Sequence, residues 1–130
     1  MKNSKKKRKF RVIHLFLILL GAFIMVNWYY WQQAFSIPFA KASWFAGIND
    51  SERPTVRQRM LEDIQSRLVQ PGMARTEIIT ALGNSDTDEY FREHDLVYWI
   101  GPDPSYIDSE WLVIDFDEED KLVSTAVVID

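Results

Sequence analysis

The chain has 130 residues, 47 % of them apolar and 14 % aromatic, which is room for one packed domain and too apolar for a disordered tail. Cysteine is absent, which excludes a disulfide scaffold, a cysteine zinc site, a thiol nucleophile and an N-terminal lipid-bearing cysteine. The net charge of -4 is unevenly spread: residues 1–11 hold seven basic side chains and no acid, while the rest holds eight basic against nineteen acidic, a net of -11 that repels phosphate backbones and argues against a nucleic-acid partner.

Residues 12–31, VIHLFLILLGAFIMVNWYYW, predict a transmembrane helix. Val12–Val26 is apolar apart from His14 and Gly21. Twenty helical residues rise about 30 Å, the depth of a bilayer's hydrocarbon core. No water reaches that depth, so the backbone must satisfy its own hydrogen bonds by coiling. Trp28, Tyr29, Tyr30 and Trp31 suit the far interface, where an amphipathic ring sits half wet. Lys5–Lys9 and Arg11 predict a cytoplasmic N-terminus, hence a single-pass inner-membrane protein with its acidic part extracytoplasmic. A cleaved signal peptide shares the basic start, and Ala40-Lys41-Ala42 has the small-x-small pattern. The stretch from Val26 to that site would then be about 16 residues rich in Trp and Tyr, so the uncleaved anchor is the better reading. His14 and Asn27 lie near opposite ends of the span, which points to interfacial placement rather than a proton relay.

Residues 32–50 read as a juxtamembrane link. Phe35, Ile37, Phe39, Trp44 and Phe45 make it too apolar for a free tether, so it is expected along the headgroup layer as a short amphipathic piece. Pro38 breaks any helix running through it.

Residues 51–130 form the expected extracytoplasmic domain. Val56, Met60, Leu61, Ile64 and Leu68 mark one face of a helix over 54–69, with Pro54 in its first turn. Arg59 and Arg67 are both placed to pair with Asp63. Pro71-Gly72 stops this helix, and a second follows over 74–82, with Glu77 in its first turn and Gly83 just past its end. The pattern then turns to β. Leu96–Ile100, Glu110–Phe116 and Lys121–Ile129 are strands, the last two joined by the acidic turn Asp117–Asp120. Thr87–Arg92 is a weak fourth candidate. The class is α+β: a transmembrane helix, then two helices packed on a three-stranded antiparallel sheet, in the order ααβββ. Val56, Met60, Ile64, Ile78, Leu82, Leu112, Ile114 and Phe116 are the expected core.

Three pieces of this segment resemble the BamE/SmpA-like domain family of small outer-membrane lipoproteins. Pro71–Ile78 through Leu82-Gly83 is similar to the family's "GM-x-R-x-E-V…LLG" hairpin. Leu96–Gly101 looks like its first strand, and Leu112–Asp117 through Lys121-Leu122-Val123 like "L-x-I-x-FD-x-x-G-x-V". The resemblance covers roughly residues 54–128 and implies two helices on a three-stranded antiparallel sheet, in a periplasmic-type interaction module. Two positions depart from the pattern: Ser85 replaces a frequent Pro, and Asp120 replaces the turn Gly. The lipidated cysteine is missing too, and a transmembrane helix stands in its place, so membership of the barrel-assembly machine does not carry over.

No catalytic, cofactor or metal motif stands out. A calcium loop starting at Asp115 needs Gly sixth and Glu twelfth, where this chain has Asp120 and Ala126. His94, between Glu93 and Asp95, has neither a second His in the domain nor a cysteine to complete a metal site. Nucleophile elbow, phosphate loop and HExxH are all absent. The expected function is a non-catalytic protein-interaction or assembly module whose partner is another envelope or membrane protein. The alternative is a small-molecule-binding or weakly hydrolytic tethered domain, sought first at His94 and the acids around it. Alternation in the second strand places Trp111 and Val113 opposite the helix-covered face, together with Trp99 or Tyr98. That face is either a docking surface or is covered by the 32–50 link or the membrane. With Tyr106 on the loop 102–109, rigidified by two prolines, the candidate partner-binding residues are Trp99, Tyr106, Trp111 and Val113.

Overall fold

The computed structural model describes the backbone of residues 2–130 and the side chains of 13–28 and 35–130. The chain divides into two units, residues 1–35 and 36–130. The first is helix α1, Lys2–Phe35. Its apolar side chains are exposed, from Leu20 at 43 % to Met25 at 74 %, and Asn27 donates its amide to the Phe23 carbonyl one turn back at 3.0 Å. No helix among the described residues is long and apolar enough to cross a membrane. The described side chains of α1 run from 13 to 28, about 24 Å of helix at 1.5 Å per residue. Val12 and residues 29–31 of the expected span lie outside them, as do the basic side chains of 1–11.

The second unit begins at Ser36, not at Ser51. Residues 36–50 are part of its fold rather than a strip lying along headgroups. The Ile37 amide donates to the Arg59 carbonyl at 2.9 Å, and the Phe39 amide donates to Asp63 at 2.6 Å. Helix α2, Lys41–Ala46, then carries Trp44 into the core with no exposed surface. The indole N–H donates to the Leu82 carbonyl at 2.9 Å, satisfying the one polar atom of a large buried ring. Aromatic density beside the expected span suggests a headgroup layer. Here Trp44 is core and Ile37 and Phe39 pack partly buried against it, while Phe35 and Phe45 stay exposed.

Helix α3, Val56–Asp63, starts two residues later than expected. Pro54 precedes the N-cap Thr55 instead of occupying the first turn. Thr55 and Gln58 close a reciprocal capping box, with N–H to oxygen distances of 3.0 and 2.9 Å. The helix continues as one wide π turn, Ile64–Leu68, closed by the Val69 amide on the Ile64 carbonyl at 3.0 Å. Asp63 pairs with Arg67 and also accepts the Phe39 amide. Helix α4, Arg75–Leu82, has Glu77 accepting the Ala74 amide at 2.8 Å, and Gly83 follows at φ 85°, as its position past the helix end predicts.

Strands β1 (Leu96–Pro102), β2 (Ser109–Phe116) and β3 (Leu122–Ile129) make an antiparallel sheet in sequence order. Residues 87–92 form no strand; they belong to a loop, residues 83–95, between α4 and β1. Asp120 takes the left-handed conformation that a turn glycine would, at φ 57°, and Arg75 grips it through the side chain at 2.7 Å and the main chain at 2.9 Å. The helix-side core joins Met60, Ile64, Ile78, Leu82, Leu112 and Ile114, all expected there, to Trp44, Tyr98, Ile100 and Leu122. Val56 and Phe116, expected in the same core, are partly buried at its margin, and the Arg75 guanidinium lies 4.3 Å from the Phe116 ring centre.

Candidate functional site

The second sheet face is built from alternate residues. Val97 and Trp99 of β1 lie opposite Val113 and Trp111 of β2, and Val128 of β3 lies beside Trp111. Tyr98 points the other way and is fully buried under the helices. This face is not an open docking surface: Val113 is 1 % exposed and Trp111 9 %. Its cover over Trp111 is the loop 83–95, and residues 48–50 of the 32–50 segment border the face beside Trp99 and Trp111. Tyr90 stacks on Trp111 at 5.6 Å between ring centres and Phe91 tilts against it at 6.2 Å. In the sequence, 87–92 reads only as a weak strand candidate, which does not place this loop over the sheet face.

Both ends of this loop are pinned through carboxylates. At one end Asp86 pairs with Arg57, a side chain only 1 % exposed, and accepts the Trp99 amide at 3.0 Å. Arg57 spends its other donors on the Trp44 and Trp99 carbonyls, both at 2.8 Å, with its guanidinium 4.2 Å from the Trp44 ring centre. The buried cation is tolerated because a carboxylate, two carbonyls and the Trp44 π cloud surround it. One residue thus ties α2, α3, the loop and β1 together. The neighbouring Tyr98 hydroxyl donates to the Gly83 carbonyl at 2.7 Å, and burial, with Asp86 adding to it, pushes the phenol's pKa well up.

At the other end His94 Nδ1 lies 2.9 and 3.1 Å from the two oxygens of Asp115, which also accepts the Ser124 hydroxyl at 2.7 Å. Burial works to raise this carboxyl's pKa, but the Ser124 and His94 bonds outweigh it and hold the pKa below the ordinary value. The residue types are those of a hydrolytic triad, but the order differs. In a triad the imidazole stands between serine and carboxylate. Here the carboxylate stands between the other two, and the Ser124 hydroxyl donates to Asp115 rather than to the imidazole. The arrangement fastens a loop to a sheet and does not pair the serine with the imidazole. No group of three or more metal-ligating side chains occurs among the described residues.

The expected residues therefore separate. Trp99 and Trp111 pair across the strands and line a shallow cleft of about 480 Å³ beside Ile48, Asp50, Arg53 and Asp86. Its carboxylates are engaged: Asp50 accepts the Glu52 and Val56 amides, at 2.9 and 2.7 Å, which lower its pKa. Tyr106 stands apart on the β1–β2 loop, 66 % exposed at φ 61°, beside Ile107 at 85 %. Asp103 braces the loop by accepting the Ser105 hydroxyl and amide, at 2.6 and 3.0 Å. Val113 is a core residue. Arg57 and Thr55, the buried polar pair that organises this side, escaped the sequence reading. The signal for Arg57 is its phase: it falls on the same helical face as Met60, Leu61 and Ile64. No family model matches this chain, and no curated protein or solved structure matches it either.

Proposed function

We propose that this chain is a membrane-anchored, non-catalytic protein-interaction module of the cell envelope. In this reading residues 12–31 cross the inner membrane once, the N-terminus is cytoplasmic, and residues 36–130 lie outside. The carrying observation is α1 itself. Between 13 and 28 its large apolar side chains are all exposed, a helix apolar on every side, which water does not favour and lipid does. With Val12 and residues 29–31 the apolar and aromatic stretch reaches about 30 Å of helix. The seven basic residues before it and the acidic unit after it support the orientation. The resemblance to BamE/SmpA-like domains favours an interaction role, and of the four candidate residues Tyr106 is exposed and Trp99 half-buried.

A topology reporter fused after Asp130 tests the anchor, with activity expected only on the extracytoplasmic side. Activity confined to the cytoplasm overturns it. Crosslinking in intact cells followed by mass spectrometry tests the interaction role, with an envelope or membrane protein expected.

A further inference from the structure

The two edges of the sheet are treated differently. On β3 the ladder alternates with β2 from the Asp130 amide on the Ser109 carbonyl inward, so Thr125, Val127 and Ile129 direct their N–H and C=O groups away from the sheet. Leu122 alone among the described β3 residues is paired on that side, by Gly72 and Met73 at 2.8 Å each. The strand reads LVSTAVVI, with no charge and no proline, the usual protections of a free edge. Val123, Val127 and Ile129 are 54, 37 and 54 % exposed. Beyond one end of the strand stand the exposed acids Glu118 and Glu119, and beyond the other Asp108 and Asp130.

We propose that this edge takes an extended, apolar segment of another protein, with basic residues at both its ends, as a fourth strand. The inference rests on the interaction reading above and names the chemistry of the partner. Main-chain bonds along Thr125–Ile129 supply the pairing, and alternate apolar side chains meet Val127 and Ile129. Charge selects the occupant. The unit 36–130 carries -11, so a second copy would bring acid against acid at both ends of the strand, whereas a basic-flanked segment meets its complement.

The test uses the full chain in phosphatidylcholine nanodiscs and two labelled peptides, KKTVTVTVKK and EETVTVTVEE, read by fluorescence anisotropy. The basic-flanked peptide is expected to bind at least tenfold more tightly. Val127→Pro removes an outward N–H while leaving the β2 ladder intact, and is expected to weaken binding at least tenfold with the far-UV circular dichroism unchanged. Glu118→Lys with Glu119→Lys, both exposed and away from the core, is expected to weaken it several-fold, and keeps the test open should the proline variant not fold. Equal binding of the two peptides, binding indifferent to the lysine variant, or self-association lost on Val127→Pro would each overturn the proposal. A photo-crosslinker placed in cells at Val127 and, separately, at Tyr106 distinguishes the two levels. Capture at Tyr106 alone overturns the edge proposal and leaves the interaction reading standing; capture at neither position overturns both.

Discussion

The two edges of one sheet solve the same problem in opposite ways. On β1 the outward groups of Val97 and Trp99 are all used: Ser85 Oγ accepts the Val97 amide at 2.9 Å, the Asp86 amide reaches the Val97 carbonyl at 2.8 Å, and Asp86 and Arg57 take the N–H and C=O of Trp99. On β3, beyond Leu122, the outward groups of Thr125, Val127 and Ile129 have no partner among the described residues. Edge protection here does not come from charges placed along a strand. It comes from a loop and one buried ion pair, and it is spent on one side only. The difference shows that an edge can be closed by side chains from elsewhere, at the cost of burying a cation.

The largest way to break this contrast is Arg57→Ala. It leaves Asp86 and two buried carbonyls without their donor, and a loss of about 3–5 kcal/mol is expected, read by chemical denaturation of the full chain in detergent. Ile114→Ala removes a fully buried side chain of the central strand, which serves both edges equally, and is expected to cost about 2–5 kcal/mol in the same assay. If Arg57→Ala costs less than Ile114→Ala, the pair is no keystone. Tyr90→Ala removes the ring stacked on Trp111 and should cost about 0.5–1.5 kcal/mol for the aromatic pair, while raising the accessibility of Trp111 to acrylamide quenching.

The smallest effect is that of pH. Arg67, with the Phe39 amide beside it, holds the pKa of Asp63 down to about 2, and Asp50, Asp103 and Asp115 are also lowered. A carboxylate with a folded pKa below its unfolded value stabilises the fold fully above about pH 4 and loses that contribution as pH falls through the folded pKa. Stability is therefore expected to decline between about pH 4 and 2. Asp63→Asn should flatten part of that limb, and a titration of the midpoint checks it.

Most of the scaffold is legible in the sequence because it is periodic. Alternation along 110–116 places Leu112 and Ile114 under the helices, and the 3.6-residue spacing places Met60, Ile64, Ile78 and Leu82 over them. What escaped is aperiodic. The loop 83–95 covers a sheet face through Tyr90 and Phe91, whose spacing resembles nothing regular. Residues 36–50 carry a core tryptophan on a helix of six residues, too short to show a face. The candidate site suffered most, because alternation tells which residues share a face and cannot tell what lies over it. Alternation puts Trp111 and Val113 on the face turned away from Leu112 and Ile114 and leaves open whether that face is bare or covered.

The side-chain closure of the β1 edge has a consequence for motion. The amides of Val97 and Trp99 lie in a strand, yet their acceptors are Ser85 Oγ and an Asp86 carboxylate oxygen, both on the loop. Local opening of the loop frees them without parting a single rung between β1 and β2. In deuterium these two amides should therefore exchange together with the loop, ahead of Tyr98 between them, so that one strand reports two different opening events.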